Sequence, residues 1–112
     1  MKIYHNPRCR KSREGVQYLT YKKLNFEIID YLKEGVSEDD IKSILKKLNM
    51  SAIEIVRKNE KIWKDNFKGK ELKEDQIISI LCEETKLIER PIIVHKNKAV
   101  IGRPKENIDS LL

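Results

Sequence analysis

Residues 2–32 read KIYHNPRCRKSREGVQYLTYKKLNFEIIDYL, and this stretch decides the fold. KIYH is a short β-prone run closed by Asn6-Pro7. After Cys9, KSREGVQYLTYKK places Val16 and Leu19 three apart, on one face of a helix. NFEIIDYL is a continuous apolar and aromatic run of strand length, which predicts a buried parallel strand with the preceding helix as a right-handed crossover. The opening third is therefore one βαβ unit.

From Val36 the pattern becomes helical. Ser37 with Asp40 three residues on has the form of a capping box, and Ile41, Ile44, Leu45 and Leu48 follow at helical spacing. Ser51 with Glu54 repeats the start signal for a short helix through Ile55 and Val56, and residues 74–84 carry Ile77, Ile78 and Leu81 on one side. Between those two helices, WKDNFKGKEL is polar with a glycine and reads as a loop. PIIVH and AVIG then flank Lys96-Asn97-Lys98 as a hairpin, and Arg103-Pro104 opens a final helix with Ile108, Leu111 and Leu112 as its apolar face. The order is βαβ, helices, ββα.

A chain of 112 residues is long enough for one core and is expected to form a single domain. Its 38% charged residues include both signs, interleaved, which fits a folded core under a salt-rich surface. The net charge of +6 favours anionic partners. No helix shows a one-sided basic stripe with base-reading side chains, so direct nucleic-acid readout is not expected. Neither a signal-peptide core nor an apolar run of membrane-spanning length is present, and two dissimilar cysteines do not make a disulfide framework. A cytoplasmic protein is expected, working as a monomer.

The chemistry concentrates at His5–Arg13, HNPRCRKSR. Cys9 lies between a strand end and a helix start, where unpaired backbone N–H groups and the positive end of the helix dipole favour an anion. Arg8, Arg10, Lys11 and Arg13 add cations, so Cys9 is expected to be an acidic, reactive thiol. Ser12 stands three residues later, where a two-thiol oxidoreductase would place its second cysteine, so Cys9 acts as a monothiol. Ser12 either donates a hydrogen bond to the thiolate or is an ordinary first-turn polar residue. His5 either tunes the thiolate or is structural. Cys82 falls on an apolar helix face and reads as core packing, and His95 as a solvated turn residue. No Cys and His cluster has metal-ligand spacing, so no metal is expected.

Only six of the 24 cationic residues are arginines. Three surround Cys9, while Arg57, Arg90 and Arg103 each sit at an element boundary, where a rigid guanidinium fork can grip an oxyanion through two hydrogen bonds. Arg90-Pro91 also offers an X-Pro bond that can be cis.

HNPRCRKSR, IVRKN at 55–59, ERPIIV at 89–94 and IGRP at 101–104 resemble, in order and spacing, the ArsC family of thioredoxin-fold arsenate reductases that use glutathione and glutaredoxin. The resemblance implies an α/β fold, a thioredoxin-like mixed four-stranded sheet with a helical insertion after the second strand, here at about residues 36–88. It implies that Cys9 attacks arsenate, that Arg57, Arg90 and Arg103 bind the oxyanion, and that His5 and Ser12 stabilise the thiolate beside Arg8 and Arg10. Pro91 matches the family's cis-proline. Glutathione is implied as co-substrate and glutaredoxin as partner, with no bound cofactor. Arg10 and Lys11 depart from the better-known members, which carry small or uncharged residues there. A monothiol reductase acting on glutathione mixed disulfides is a second reading. An Spx-like regulator of RNA polymerase is a third, although Ser12 removes the paired-cysteine switch such proteins usually carry.

Overall fold

The computed structural model describes residues 1–112, which fold as two compact units. The first comprises residues 1–34 and 90–112, and the second residues 35–89.

In the first unit, β1 (Lys2–Tyr4), α1 (Arg10–Tyr21) and β2 (Glu27–Ile29) form the expected βαβ unit, with Ile3 opposite Ile28 in parallel register. A short helix α2 (Tyr31–Glu34) follows β2. Later in the chain, β3 (Ile92–His95) and β4 (Lys98–Ile101) complete a four-stranded mixed sheet of order β2-β1-β3-β4. β3 lies antiparallel to β1 with Ile3 opposite Ile93, and β4 pairs antiparallel with β3. The hairpin closes at Lys96-Asn97, with Lys98 already in β4 opposite His95. Ile3, Leu19, Ile93 and Ile108 are fully buried together, each such side chain contributing about 1.5–3 kcal/mol of transfer free energy. The core thus ties α1 to the two central strands.

NFEIIDYL is not one buried strand: β2 has three residues, Ile28 is 48% exposed at the sheet edge, and Tyr31 belongs to α2. Asp30 stops the strand, because its carbonyl accepts from the Lys33 and Glu34 N–H groups and its carboxylate from the Lys33 N–H, while its own N–H donates to the Glu34 carboxylate. Local side-chain and backbone bonds of this kind compete with the ladder. The final helix is a 3-10 helix, Lys105–Leu111, with Pro104 as its N-cap.

The second unit contains α3 (Glu38–Leu48), α4 (Lys61–Asn66) and α5 (Glu74–Glu83). Ser37 and Asp40 form the full capping box, and Ile41, Ile44, Leu45 and Leu48 are buried. Ser51 and Glu54 cap a 3-10 helix, Ala52–Ile55, and the Glu74 carboxylate accepts the Ala52 N–H. The first four residues of the stretch expected to be a loop belong to α4. It forms because Trp63 and Phe67, four residues apart, stack with ring centroids 5.5 Å apart and Trp63 is buried. Cys82 is half-buried instead of packed in the core, with the charges of Glu38, Asp40 and Glu83 acting on its thiol. Burial, followed by those charges, pushes its thiol up.

Candidate functional site

The β1–α1 loop is held rigid by its own hydrogen bonds. Arg8 N–H donates to Asn6 Oδ1 at 3.0 Å, Cys9 N–H to the Asn6 carbonyl at 3.0 Å, and the Arg13 guanidinium to the Pro7 carbonyl at 3.0 Å. Below them Ser12 is fully buried. Its Oγ accepts the Asn6 N–H at 2.9 Å and lies 2.7 Å from His5 Nδ1, so it fastens the start of the loop to the first turn of α1.

Cys9 is the N-cap residue of α1 and is half-buried and free. Burial pushes its thiol up. The backbone N–H of Ser12, the Arg90 guanidinium and the backbone N–H of Lys11 together outweigh that, and leave the thiol below its ordinary value. The helix start thus favours the sulfur anion through particular amides, and the cation acting on the sulfur is Arg90.

Arg90 reaches this position from the segment before β3. The Arg90-Pro91 bond is cis, as is Arg103-Pro104. Pro91 is buried between two glycines: a Cβ on Gly15 would lie 3.0 Å from Pro91 Cγ, and one on Gly102 would lie 3.1 Å from it. Gly102 N–H also donates to the Pro91 carbonyl at 2.8 Å. Arg90 Nε is buried without a hydrogen-bond partner.

The remaining sequence candidates are distributed as follows. Arg8 is exposed. Arg10 is 85% exposed and ion-paired with Glu14 at 3.5 Å, which also pairs with Lys11 at 3.6 Å. Arg103 is exposed on the turn after β4. Arg57 belongs to the second unit, where its guanidinium pairs with Glu60 at 3.3 Å and its N–H donates to the Leu87 carbonyl. His5 is buried, and burial holds it below its ordinary range. Asp30 opposes that shift, Arg13 adds to it, and the bond with Ser12 opposes it. Asp30 carries no local signal of this role. The parallel register was the available signal, since Tyr4 opposite Ile29 puts His5 and Asp30 next to each other. No group of three or more His, Cys, Asp or Glu residues could hold a metal ion.

Comparison with known proteins agrees with this fold. The model of the family described as "ArsC family" matches residues 4–111. A protein of Escherichia coli K12 named "Uncharacterized protein YfgD" is 40% identical, covering 96% of this chain and 92% of its own. An arsenate reductase of Haemophilus influenzae is 36% identical over 98% of this chain and 97% of its own. The solved structure of an arsenate reductase from Vibrio cholerae superposes with a TM-score of 0.94 at 34% identity, covering 100% of this chain and 98% of that one.

Proposed function

The chain belongs to the ArsC family, and from that premise we propose that it is an arsenate reductase whose nucleophile is the Cys9 thiolate. One observation carries the reading: a thiol held below its ordinary value lies beside Arg90, whose buried Nε has no acceptor within the protein. A buried N–H donor without a partner is costly and uncommon. An oxygen of a tetrahedral anion brought to the sulfur would satisfy it.

In the proposed reaction Arg90 and Arg103 hold the oxyanion through charge-assisted hydrogen bonds. Cys9 Sγ attacks arsenic, a sulfur–arsenic bond forms, and an arsenic-bound oxygen leaves as hydroxide or water. The thiolate of glutathione then attacks Cys9 Sγ. The sulfur–arsenic bond breaks with its electron pair remaining on arsenic, which departs as arsenite. Cys9 is left as a mixed disulfide with glutathione, and glutaredoxin removes that glutathione by thiol–disulfide exchange. Thiols supply both electrons, so the reaction calls for no bound cofactor. Such thiol chemistry belongs in a reducing compartment, and we place the protein in the cytoplasm as a monomer.

A second reading, reduction of glutathione mixed disulfides, draws support from Arg10 and Lys11. Both are exposed beside Cys9 and linked through Glu14, where they suit the carboxylates of glutathione. One assay separates the two readings: NADPH consumption with glutathione, glutaredoxin and glutathione reductase, with and without arsenate, and Cys9→Ser as blank. The arsenate reading expects arsenate-dependent turnover that the blank lacks. Turnover on a glutathione mixed disulfide with none on arsenate would replace it with the second reading.

A further inference from the structure

We propose that Asn107 is the positioning residue for Arg103, its side-chain amide fixing the turn from which that guanidinium is presented. The inference deepens the proposed function and rests on Arg103 being an oxyanion-binding residue.

Asn107 reaches back from the C-terminal 3-10 helix to the turn after β4. Its Nδ2 donates to the Ile101 carbonyl at 3.0 Å and to the Arg103 carbonyl at 3.2 Å. One amide therefore spans both ends of Ile101-Gly102-Arg103. From the other side, Gly102 N–H donates to the carbonyl of Pro91, the residue after Arg90. The backbone that carries Arg103 is held from two directions, one of them shared with the segment that carries Arg90.

The anchor for this strap is itself fixed. Asn107 N–H donates to the Pro104 carbonyl at 3.0 Å, and Ser110 Oγ donates to the Asn107 carbonyl at 2.9 Å. The next residue, Ile108, is fully buried. At the residue after that, the Tyr18 hydroxyl of α1 donates to Asp109 Oδ1 at 2.6 Å. Asparagine suits the position because a neutral NH₂ group carries two donors and both carbonyls need donors. These carbonyls lie at an exposed turn, where water would satisfy them equally well, so what the amide adds is fixation of the turn.

The test reads Cys9 alkylation by iodoacetamide and the arsenate concentration that half-protects it, without glutathione, in wild type, Arg103→Ala, Asn107→Ala and the double variant. Asn107→Ala is expected to raise the half-protecting concentration about fivefold, as two exposed hydrogen bonds are lost. The alkylation rate without arsenate should stay at the wild-type value, because the groups that lower the Cys9 thiol are Ser12, Arg90 and Lys11. The double variant should be no weaker than Arg103→Ala alone, since the strap acts only through that side chain. Asn107→Ser, which keeps one donor, should fall between wild type and Asn107→Ala; if the alanine variant does not fold, the serine variant takes its place in the cycle. Unaltered protection in Asn107→Ala, or effects that add in full in the double variant, would overturn the proposal while leaving Arg103 in its role. Unaltered protection in Arg103→Ala would overturn the assignment of Arg103 and the proposal with it. Absence of protection in wild type would count against the arsenate reading itself.

Discussion

Replacing Gly102 by alanine tests the packing that holds Arg90 in place. The new Cβ would lie 2.7 Å from Ile93 Cδ1, 3.1 Å from Pro91 Cγ and 3.7 Å from Ile108 Cδ1. Ile93 and Ile108 are fully buried, so the methyl at 2.7 Å cannot swing into solvent and the surrounding core must shift. Overpacking of this kind costs about 1–3 kcal/mol, which for a chain of this length lowers Tm by roughly 5–20 °C. Gly15→Ala is the matched control. Its Cβ meets Pro91 Cγ at 3.0 Å and Ile3 Cδ1 at 3.3 Å, but Gly15 lies inside α1. There the gain in helix propensity, about 1 kcal/mol, offsets much of the crowding. Calorimetric or circular-dichroism melting of both variants should rank wild type near Gly15→Ala and well above Gly102→Ala. A Gly102→Ala melting point at or above that of Gly15→Ala would mean that the core around Ile93 and Pro91 accepts the extra methyl without cost.

Four further outcomes follow from the structure. Arg90→Ala removes both a hydrogen bond and a positive charge from the sulfur, so the Cys9 thiol should titrate higher than in wild type; thiolate absorbance against pH reads this, and an unmoved midpoint would remove Arg90 from the site. In turnover, losing Arg90 as an oxyanion donor should cost about 2–4 kcal/mol in kcat/KM. His5 is held below the ordinary 6.5 in the folded state, so as pH falls below that value the unfolded chain takes up the proton first and stability drops toward the folded pKa. Denaturation midpoints across this window should fall less steeply with acid in His5→Gln, and equal slopes would contradict the shift. Tyr18, pushed up to about 12 by its hydrogen bond to Asp109, should titrate nearer the ordinary tyrosine range in Asp109→Asn, as followed by NMR of its ring.

Legibility in the sequence followed the locality of the interactions. The α3 start was readable because the capping box and the apolar face of Ile41, Ile44, Leu45 and Leu48 lie within one segment. Cys9 was readable for the same reason, since the helix start that lowers its thiol begins at the next residue. The shortness of β2 is not legible, because an apolar run does not say which strand forms the sheet edge, and Asp30 has the neighbours of a strand residue although its bonds run to α2. In α4 the spacing of Trp63 and Phe67 was a helical signal hidden among lysines. The choice of Arg90 as the cation at the sulfur depends on β3 lying beside β1, a long-range pairing that charge counting near Cys9 could not supply. Asn107 is not legible in the sequence, because nothing local marks an asparagine whose partners lie four and six residues earlier.

The central claim is that Cys9 is the nucleophile and arsenate the oxidant. Intact-mass and peptide-mapping measurements on the reduced protein with glutathione, with and without arsenate and with glutaredoxin omitted, address it most directly. The account requires one glutathione on Cys9 that forms only when arsenate is present, and none on Cys82. An unmodified Cys9 after exposure to arsenate and glutathione, or a glutathione adduct that forms equally without arsenate, would contradict it.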